Sequence, residues 1–339
     1  MFYINVFSIT FITTIVIFLI SKKFNFLDLP KKGKLHVEPT PYTGGISFII
    51  SIMLISNFFL FPEEIRIIIN YGMLIALVGF IDDKYFLNPT NKLILKSLII
   101  FFFLERIGYL KSLGVYEYIG NFGLGPFSFL FTFLAMHLLI NAFNYIDGID
   151  GSALTLYLNA LIILLMISNF NTDFKNCLLI FICISISILF FNLRFFNLPK
   201  VFIGNNGSYF LGFILSCLMI VASERLKIHP AKIIWCCSII VYDFLAVNLS
   251  RIIRRKNIFK AENNHIHHLL LLKTNSNLAS ITILNIVNLS LGIIAINYIF
   301  PIGKIYSLLF YLMGFILFVI LKRLVFSNKI NRFKNTFYW

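Results

Sequence analysis

Phe2–Ile20 reads FYINVFSITFITTIVIFLI, nineteen residues without a charged side chain. A helix crossing a bilayer core needs roughly 20 apolar residues, and its backbone polar groups are satisfied within the segment itself. The stretch therefore reads as a first membrane span. No positive segment precedes it and no small-residue cleavage site follows, so it is expected to remain uncleaved. Ten further apolar runs follow, near 44–61, 67–81, 93–104, 126–143, 153–169, 178–192, 209–223, 231–249, 281–300 and 305–326. The run at 93–104 is the weakest. The expected fold is all-α, a polytopic integral membrane protein of about eleven transmembrane helices. Residues 1–326 would form one transmembrane catalytic domain and 327–339 a short basic cytoplasmic tail.

Composition agrees. Of 339 residues, 59% are hydrophobic and 13% charged, against roughly 25% charged in a soluble domain. So few charges could not cover a water-soluble globule of this size. The five cysteines lie in or beside apolar runs with no CxxC spacing and read as small buried hydrophobes. Twenty Lys and Arg fall in the loops after odd-numbered spans and in the tail. Eight fall in the alternate loops, and Lys96 inside the fourth run completes the 29. Positive residues favour the cytoplasmic side, which places the N-terminus outside and the odd loops in the cytoplasm. The net charge of +15 is then mainly topological, and nucleic acid is excluded as a partner because no loop forms a basic module.

The polar chemistry gathers in the same odd loops. Asp28, Glu38, Asp82, Asp83, Asp147, Asp150 and Glu262 all fall there, and Asp243 lies near the cytoplasmic end of the ninth span. Ion-moving proteins place ionisable groups at mid-bilayer and carry repeats. Neither pattern is present, which favours an enzyme acting at one membrane surface over a transporter.

Five clusters carry that reading. Gly79-Phe80-Ile81-Asp82-Asp83-Lys84 closes the third span, with Lys92 following. Paired carboxylates need a cation or a lysine, and Mg²⁺ takes one or two carboxylates with phosphate oxygens; a plain charged helix end is the alternative. Asn141-Ala142-Phe143-Asn144-Tyr145-Ile146-Asp147-Gly148-Ile149-Asp150-Gly151 has no Lys or Arg to neutralise it, so a metal or polar ligand is its natural partner unless it is a simple turn. Gly204-Asn205-Asn206-Gly207-Ser208 leads into the eighth span, where free N–H groups could hold an anion or merely be capped. Glu262-Asn263-Asn264-His265-Ile266-His267-His268 follows a basic stretch. At helical spacing His265 and His268 share a face and His267 points elsewhere. Cationic or donor histidines suit phosphates better than zinc, because no matching cysteine or acid pair completes four ligands. The loop Asp28–Gly45 combines prolines, cations and a Gly-Gly pair, which positive-inside charge and turn chemistry could also explain.

Taken in order, these pieces resemble the polyprenyl-phosphate N-acetylhexosaminyl-1-phosphate transferase family, the membrane transferases of glycosyltransferase family 4. The likeness runs from about Asp28 to Leu272. It rests on Lys34-Leu35-His36 with Pro39-Thr40-Pro41 and Gly44-Gly45; Asp82-Asp83 with Lys92; Asn141–Gly151; Gly207-Ser208 with Leu211-Gly212; and Phe259-Lys260 leading to His265-Ile266-His267-His268. The His36–Pro39 spacing and the Phe259–His268 stretch look closer to the undecaprenyl-phosphate GlcNAc-1-phosphate branch than to the phospho-N-acetylmuramoyl-pentapeptide branch.

The resemblance implies transfer of N-acetylhexosamine-1-phosphate from a UDP-sugar, UDP-GlcNAc foremost, to undecaprenyl phosphate. UMP leaves, and a lipid-linked cell-surface polysaccharide such as O-antigen is begun. It implies Mg²⁺ or Mn²⁺ as cofactor, a multi-pass place in the bacterial inner membrane, and membrane lipid among the partners; self-association is left open. Its catalytic residues would be Asp82, handling the lipid phosphate, with Asp83, Asp147 and Asp150. Lys34, His36, Lys92, Asn141, Asn144, His265, His267 and His268 would bind substrate. Asn144 and Asn205 would bind the metal, Asn205 standing where the family usually has Asp. A catalytically degenerate homologue and a transporter are the competing expectations.

Overall fold

The computed structural model describes residues 1–30, 38–168, 171–255 and 264–336, with side chains through 325. The apolar runs fall mainly in helices, the run at 44–61 leaving its helix after Ile55. The helices are α1 (Phe2–Lys23), α2 (Gly44–Ile55), α3 (Glu63–Tyr85), α4 (Pro89–Ile107), α5 (Ser128–Ile146), α6 (Ser152–Ile167), α7 (Thr172–Asn192), α8 (Gly204–Glu224), α9 (Pro230–Ile233), α10 (Ser238–Ile253), α11 (Ile266–Thr274), α12 (Asn277–Ile294), α13 (Phe300–Ile302) and α14 (Lys304–Thr336). A 3₁₀ turn joins α9 to α10, and a π-helical turn, Ala295–Ile299, joins α12 to α13.

Among the described residues, eight helical segments are long and apolar enough to cross a membrane. Three of the eleven expected spans differ. Helices α2 and α6 are shorter, at 12 and 16 residues, and α4 carries Lys92, Lys96, Glu105 and Arg106 within its 19 residues. Helix α4 nonetheless starts cleanly. Pro89 stands at its first position and the Asn88 side chain accepts from Asn91 N–H at 2.8 Å, an N-cap that satisfies one orphan donor.

Helix α8 is the axis of the bundle. Of its most apolar stretch, 94% is buried, and α2, α3 and α5 pack against it. Like Gly45 of α2, Gly79 of α3 makes a close crossing. A Cβ there would sit 2.5 Å from the Asn205 carbonyl oxygen and the Asn206 Cα, so only glycine lets α3 pass directly over the first turn of α8. The crossing delivers Asp82 and Asp83, one helical turn further along, to that same turn.

Two features lay outside the sequence expectation. Short strands β1 (Leu27–Asp28) and β2 (Thr40–Pro41) pair antiparallel, and a hairpin is formed by β3 (Ser112–Tyr116) and β4 (Gly120–Gly123). Helix α14 lies at the periphery; none of its most apolar stretch is buried inside the protein. Glu117, at the hairpin tip, accepts the N–H groups of Lys304 and Ile305 at 2.8 and 3.2 Å, which caps α14. The cysteines are all free, and all but Cys183 are buried.

Candidate active site

The structure brings four of the five sequence clusters, together with residues 42–45 at the end of the fifth, to one end of the bundle. Asp82 is 1% exposed, and its Oδ2 accepts from Lys92 Nζ at 2.8 Å, Asn205 Nδ2 at 3.0 Å and Tyr209 Oη at 3.1 Å. Asp83 turns to the start of α8. Its carboxylate accepts the backbone N–H groups of Asn205 and Asn206 at 3.0 and 3.1 Å, and Asn206 Nδ2 at 2.7 Å. The anion that the α8 N-terminus was expected to hold is therefore Asp83 itself. A carboxylate from α3 satisfies the orphan donors and the positive end of the α8 dipole.

Asn205 bridges the site. Its Nδ2 donates to Asp82, while its Oδ1 accepts from Asn144 Nδ2 at 2.6 Å. The Asp82 carboxylate dictates this orientation, because the reverse one would press two oxygens together. The oxygen expected to face a cation thus meets Asn144, which also donates to Ser208 Oγ at 3.1 Å. Asn141 is turned inward: Lys96 Nζ donates to its Oδ1 at 2.6 Å, and the same ammonium lies 4.3 Å over the Tyr209 ring.

The Asn141–Gly151 loop meets the histidine segment. Asp150 pairs with Lys200 at 2.6 Å, so it anchors the loop to the segment before α8. Asn192 reinforces that join, accepting from Gly151 N–H at 2.6 Å and donating to the Val201 carbonyl at 2.8 Å. Asp147 accepts no side-chain hydrogen bond among the described residues. Desolvation, with Asp150 and Asp83 adding like charge, pushes its carboxyl well above the usual range.

His265 does not share a helical face with His268, because α11 begins at Ile266 and His265 is its N-cap residue. All three imidazoles form one stack instead, with His265–His267 and His267–His268 centroids 5.8 and 4.0 Å apart. Gly148 packs directly on His267; any Cβ at 148 would collide with that imidazole. His267 is fully buried, and neither of its ring nitrogens has a partner among the described residues; nor has His268 Nδ1. Burial, with His268 and His265 nearby, pushes His267 well below the usual histidine range, and burial pushes His268 to about 4. These two rings are therefore neutral near pH 7 and act as donors, not cations. Lys34 and His36 lie outside the described residues.

A divalent cation fits this corner in one respect. Asp147 is a crowded carboxylate with no donor, beside the Asn144 amide. Among the described residues no three His, Cys, Asp or Glu converge into a ready metal cage, but a hard cation needs only one or two carboxylates when phosphate oxygens complete its shell. Tyr209 and Asn192 escaped the sequence reading, and Asn206 and Ser208 entered it only as members of the turn before the eighth span. Only Tyr209 carried a usable signal, one turn beyond Asn205 on α8.

Buried carboxylates, one of them paired with lysine, amides at a helix start and neutral imidazoles lie together at one end of an apolar bundle, an arrangement suited to handling phosphate groups at a membrane surface. Residues 65–223, which include the Asp pair, the Asn144–Asp147 loop and Asn205, match the family model of glycosyl transferase family 4. The chain is also similar to the undecaprenyl-phosphate alpha-N-acetylglucosaminyl 1-phosphate transferase of Yersinia pestis, 28% identical over 279 residues, 79% of this chain and 75% of that one. The protein of the same name from Escherichia coli K12 is 27% identical over 78% of this chain and 75% of its own. That from Thermotoga maritima is 29% identical over 77% of this chain and 78% of its own.

Proposed function

We propose that the protein transfers N-acetylhexosamine-1-phosphate, with UDP-GlcNAc as the donor, to undecaprenyl phosphate at the cytoplasmic face of a bacterial inner membrane. An oxygen of the acceptor phosphate forms a bond to the β-phosphorus of the donor. The bond from that phosphorus to the bridging oxygen breaks, and UMP leaves. The observation that carries the reading is the meeting of the Asp82–Lys92 pair with the His267–Gly148 contact across Asn205 and Asn144. An acid and a lysine lie on one side of that bridge and neutral imidazoles on the other. The names of the relatives support the same acceptor and sugar.

Nucleophile and electrophile are both phosphates, so donors and positive charge must offset their repulsion. Lys92 supplies one charge, already fixed by Asp82. Asp82 orients the acceptor phosphate; that group needs little deprotonation near neutral pH, so the base role is secondary. His267 and His268 offer ring N–H groups to the pyrophosphate. Asp147 and Asn144 would hold Mg²⁺, which supplies charge neutralisation between the phosphates when bound. Starting a lipid-linked surface polysaccharide is the use this chemistry implies. The test is exchange of labelled UMP into UDP-GlcNAc by purified protein with undecaprenyl phosphate and Mg²⁺. Exchange that needs the lipid supports the reading; no exchange with any UDP-N-acetylhexosamine refutes it.

A further inference from the structure

Asp243 is a buried carboxylate outside the matched family segment, and three donors from two other elements converge on it. It is 1% exposed. Its Oδ2 faces His265 Nδ1 at 2.7 Å; its Oδ1 accepts Ile266 N–H at 2.9 Å and Lys322 Nζ at 2.5 Å. His265 and Ile266 are the first residues of the histidine segment, whereas Lys322 belongs to the peripheral helix α14. One face of α14 is bound to the α9–α10 segment along its length. Ser307 accepts from Trp235 Nε1 at 3.0 Å, the Tyr311 carbonyl accepts from Tyr242 Oη at 2.6 Å, and the Phe318 ring lies 5.9 Å from that of Tyr242. Lys322 is the last of these attachments and the one that reaches the site.

We propose that Lys322 is a positioning residue for sugar-phosphate transfer, acting through Asp243 to fix the ring of His265. The two nitrogens of an imidazole are distinct, and the bond made by one sets the role of the other. Asp243 takes the Nδ1–H and leaves Nε2 for the substrate side. Lys322 binds the other oxygen of the same carboxylate, so Asp243 is held in one orientation and presents Oδ2 to His265 Nδ1. Ile266 N–H on the same carboxylate fixes the start of α11 and with it the place of His267 and His268. Buried networks of this kind act as a unit, and removing one member of a buried ion pair is costly because the other stays uncompensated. The catalytic end thus depends on a helix whose remaining surface faces outward.

This inference rests on the proposed function for its kinetic arm only. In the UMP-exchange assay, Lys322→Met is expected to lower kcat/KM for UDP-GlcNAc by about tenfold to 100-fold, and Lys322→Arg to stay within about threefold, the sizes typical of losing or keeping a charged hydrogen bond. Lys322→Met should add little in a His265→Gln background. Ser307→Ala, which loosens α14 far from the site, should keep wild-type kinetics. Lys322→Gln guards against a packing effect of Met. The second arm needs no turnover. In protein labelled with ¹⁵N-histidine, which has six such residues, the signal removed by His265→Gln should report an Nδ1-protonated ring. That state should change in Lys322→Met and in Asp243→Asn. An unchanged His265 signal in Lys322→Met overturns the proposal. So does an undiminished kinetic loss in the His265→Gln background, or failure of both Lys322→Met and Lys322→Gln to fold while Ser307→Ala folds. Wild-type protein that exchanges nothing refutes the proposed function, while the ¹⁵N arm still decides Lys322.

Discussion

The two halves of the site are built on opposite plans. At the α3–α8 corner the carboxylates and the Asn205 amide find partners inside the protein: Asp82 Oδ2 has three donors, Asp83 has three, and Asn205 uses both ends of its amide. At the loop–histidine corner, both nitrogens of His267 and Nδ1 of His268 have none among the described residues, and half-buried Asp147 accepts no side-chain hydrogen bond there. The first half is fixed by folding and the second is completed by what binds. A buried unsatisfied polar group costs roughly 1–3 kcal/mol, so the second corner gives up stability to be ready for ligand, while the first gains stability from the same residue types.

The sharpest way to break this contrast is Asp82→Asn. It removes the carboxylate that holds Lys92, Tyr209 and Asn205, and exchange is expected to fall by about 10³-fold or more, as for groups that act as a unit, with the protein still recovered from the membrane. Activity close to wild type would end the role given to Asp82. Next is His267→Leu against Asp83→Asn. The leucine variant should lose about 100-fold in activity, a typical size for a lost donor to developing charge, yet unfold in detergent at a temperature equal to or above that of wild type. Asp83→Asn should instead lose about 1–3 kcal/mol of stability, the range for a charge-assisted cap. If both variants were destabilised alike, the two corners would not differ as described.

Two smaller effects sharpen the comparison through pH. The raised carboxyl of Asp147 means that ligand-free protein loses stability as pH climbs through its folded value. Mg²⁺ binds the ionised form, so thermal stabilisation by Mg²⁺ should grow as pH rises, and Asp147→Asn should flatten that rise. His268 runs the other way. Its folded value of about 4 lies below the ordinary 6.5, so the unfolded chain takes up the proton first, and stability should decline as pH falls from 6.5 towards 4. His268→Gln should shallow that decline in a melting-temperature series.

Much of this architecture was legible in the sequence because a bilayer imposes long apolar runs, and those runs fall mainly in helices. Helix α4 shows how a weak run can still be read: the Asn88-Pro89 start carries more information than hydropathy does. The polar clusters were legible as clusters, because Asp, Asn, Gly and His stand out against Phe and Ile. Their partners were not. That Asp83 would cap α8, or that Asn205 would turn its oxygen to Asn144, depends on where α3 crosses α8, which a glycine at 79 decides and no spacing rule reveals. His265 was placed on a helical face because the start of α11 could not be located without Asp243. The hairpin 112–123 passed unnoticed among ordinary loop glycines.

That hairpin bears on how the chain is assembled. Glu117 caps a helix that begins 187 residues later, and its carboxyl is held below the usual range by the N–H of Lys304 and the other donors there. A chain synthesised from its N-terminus places Glu117 at its rim of the bundle well before α14 exists. The acceptor is already waiting when the last helix arrives, and it favours one end of that helix staying at the rim. Orientation of the final segment is then decided by a residue inserted a hundred and more positions upstream, so a substitution at Glu117 would show itself as a delay in completing the fold before it showed itself in the chemistry.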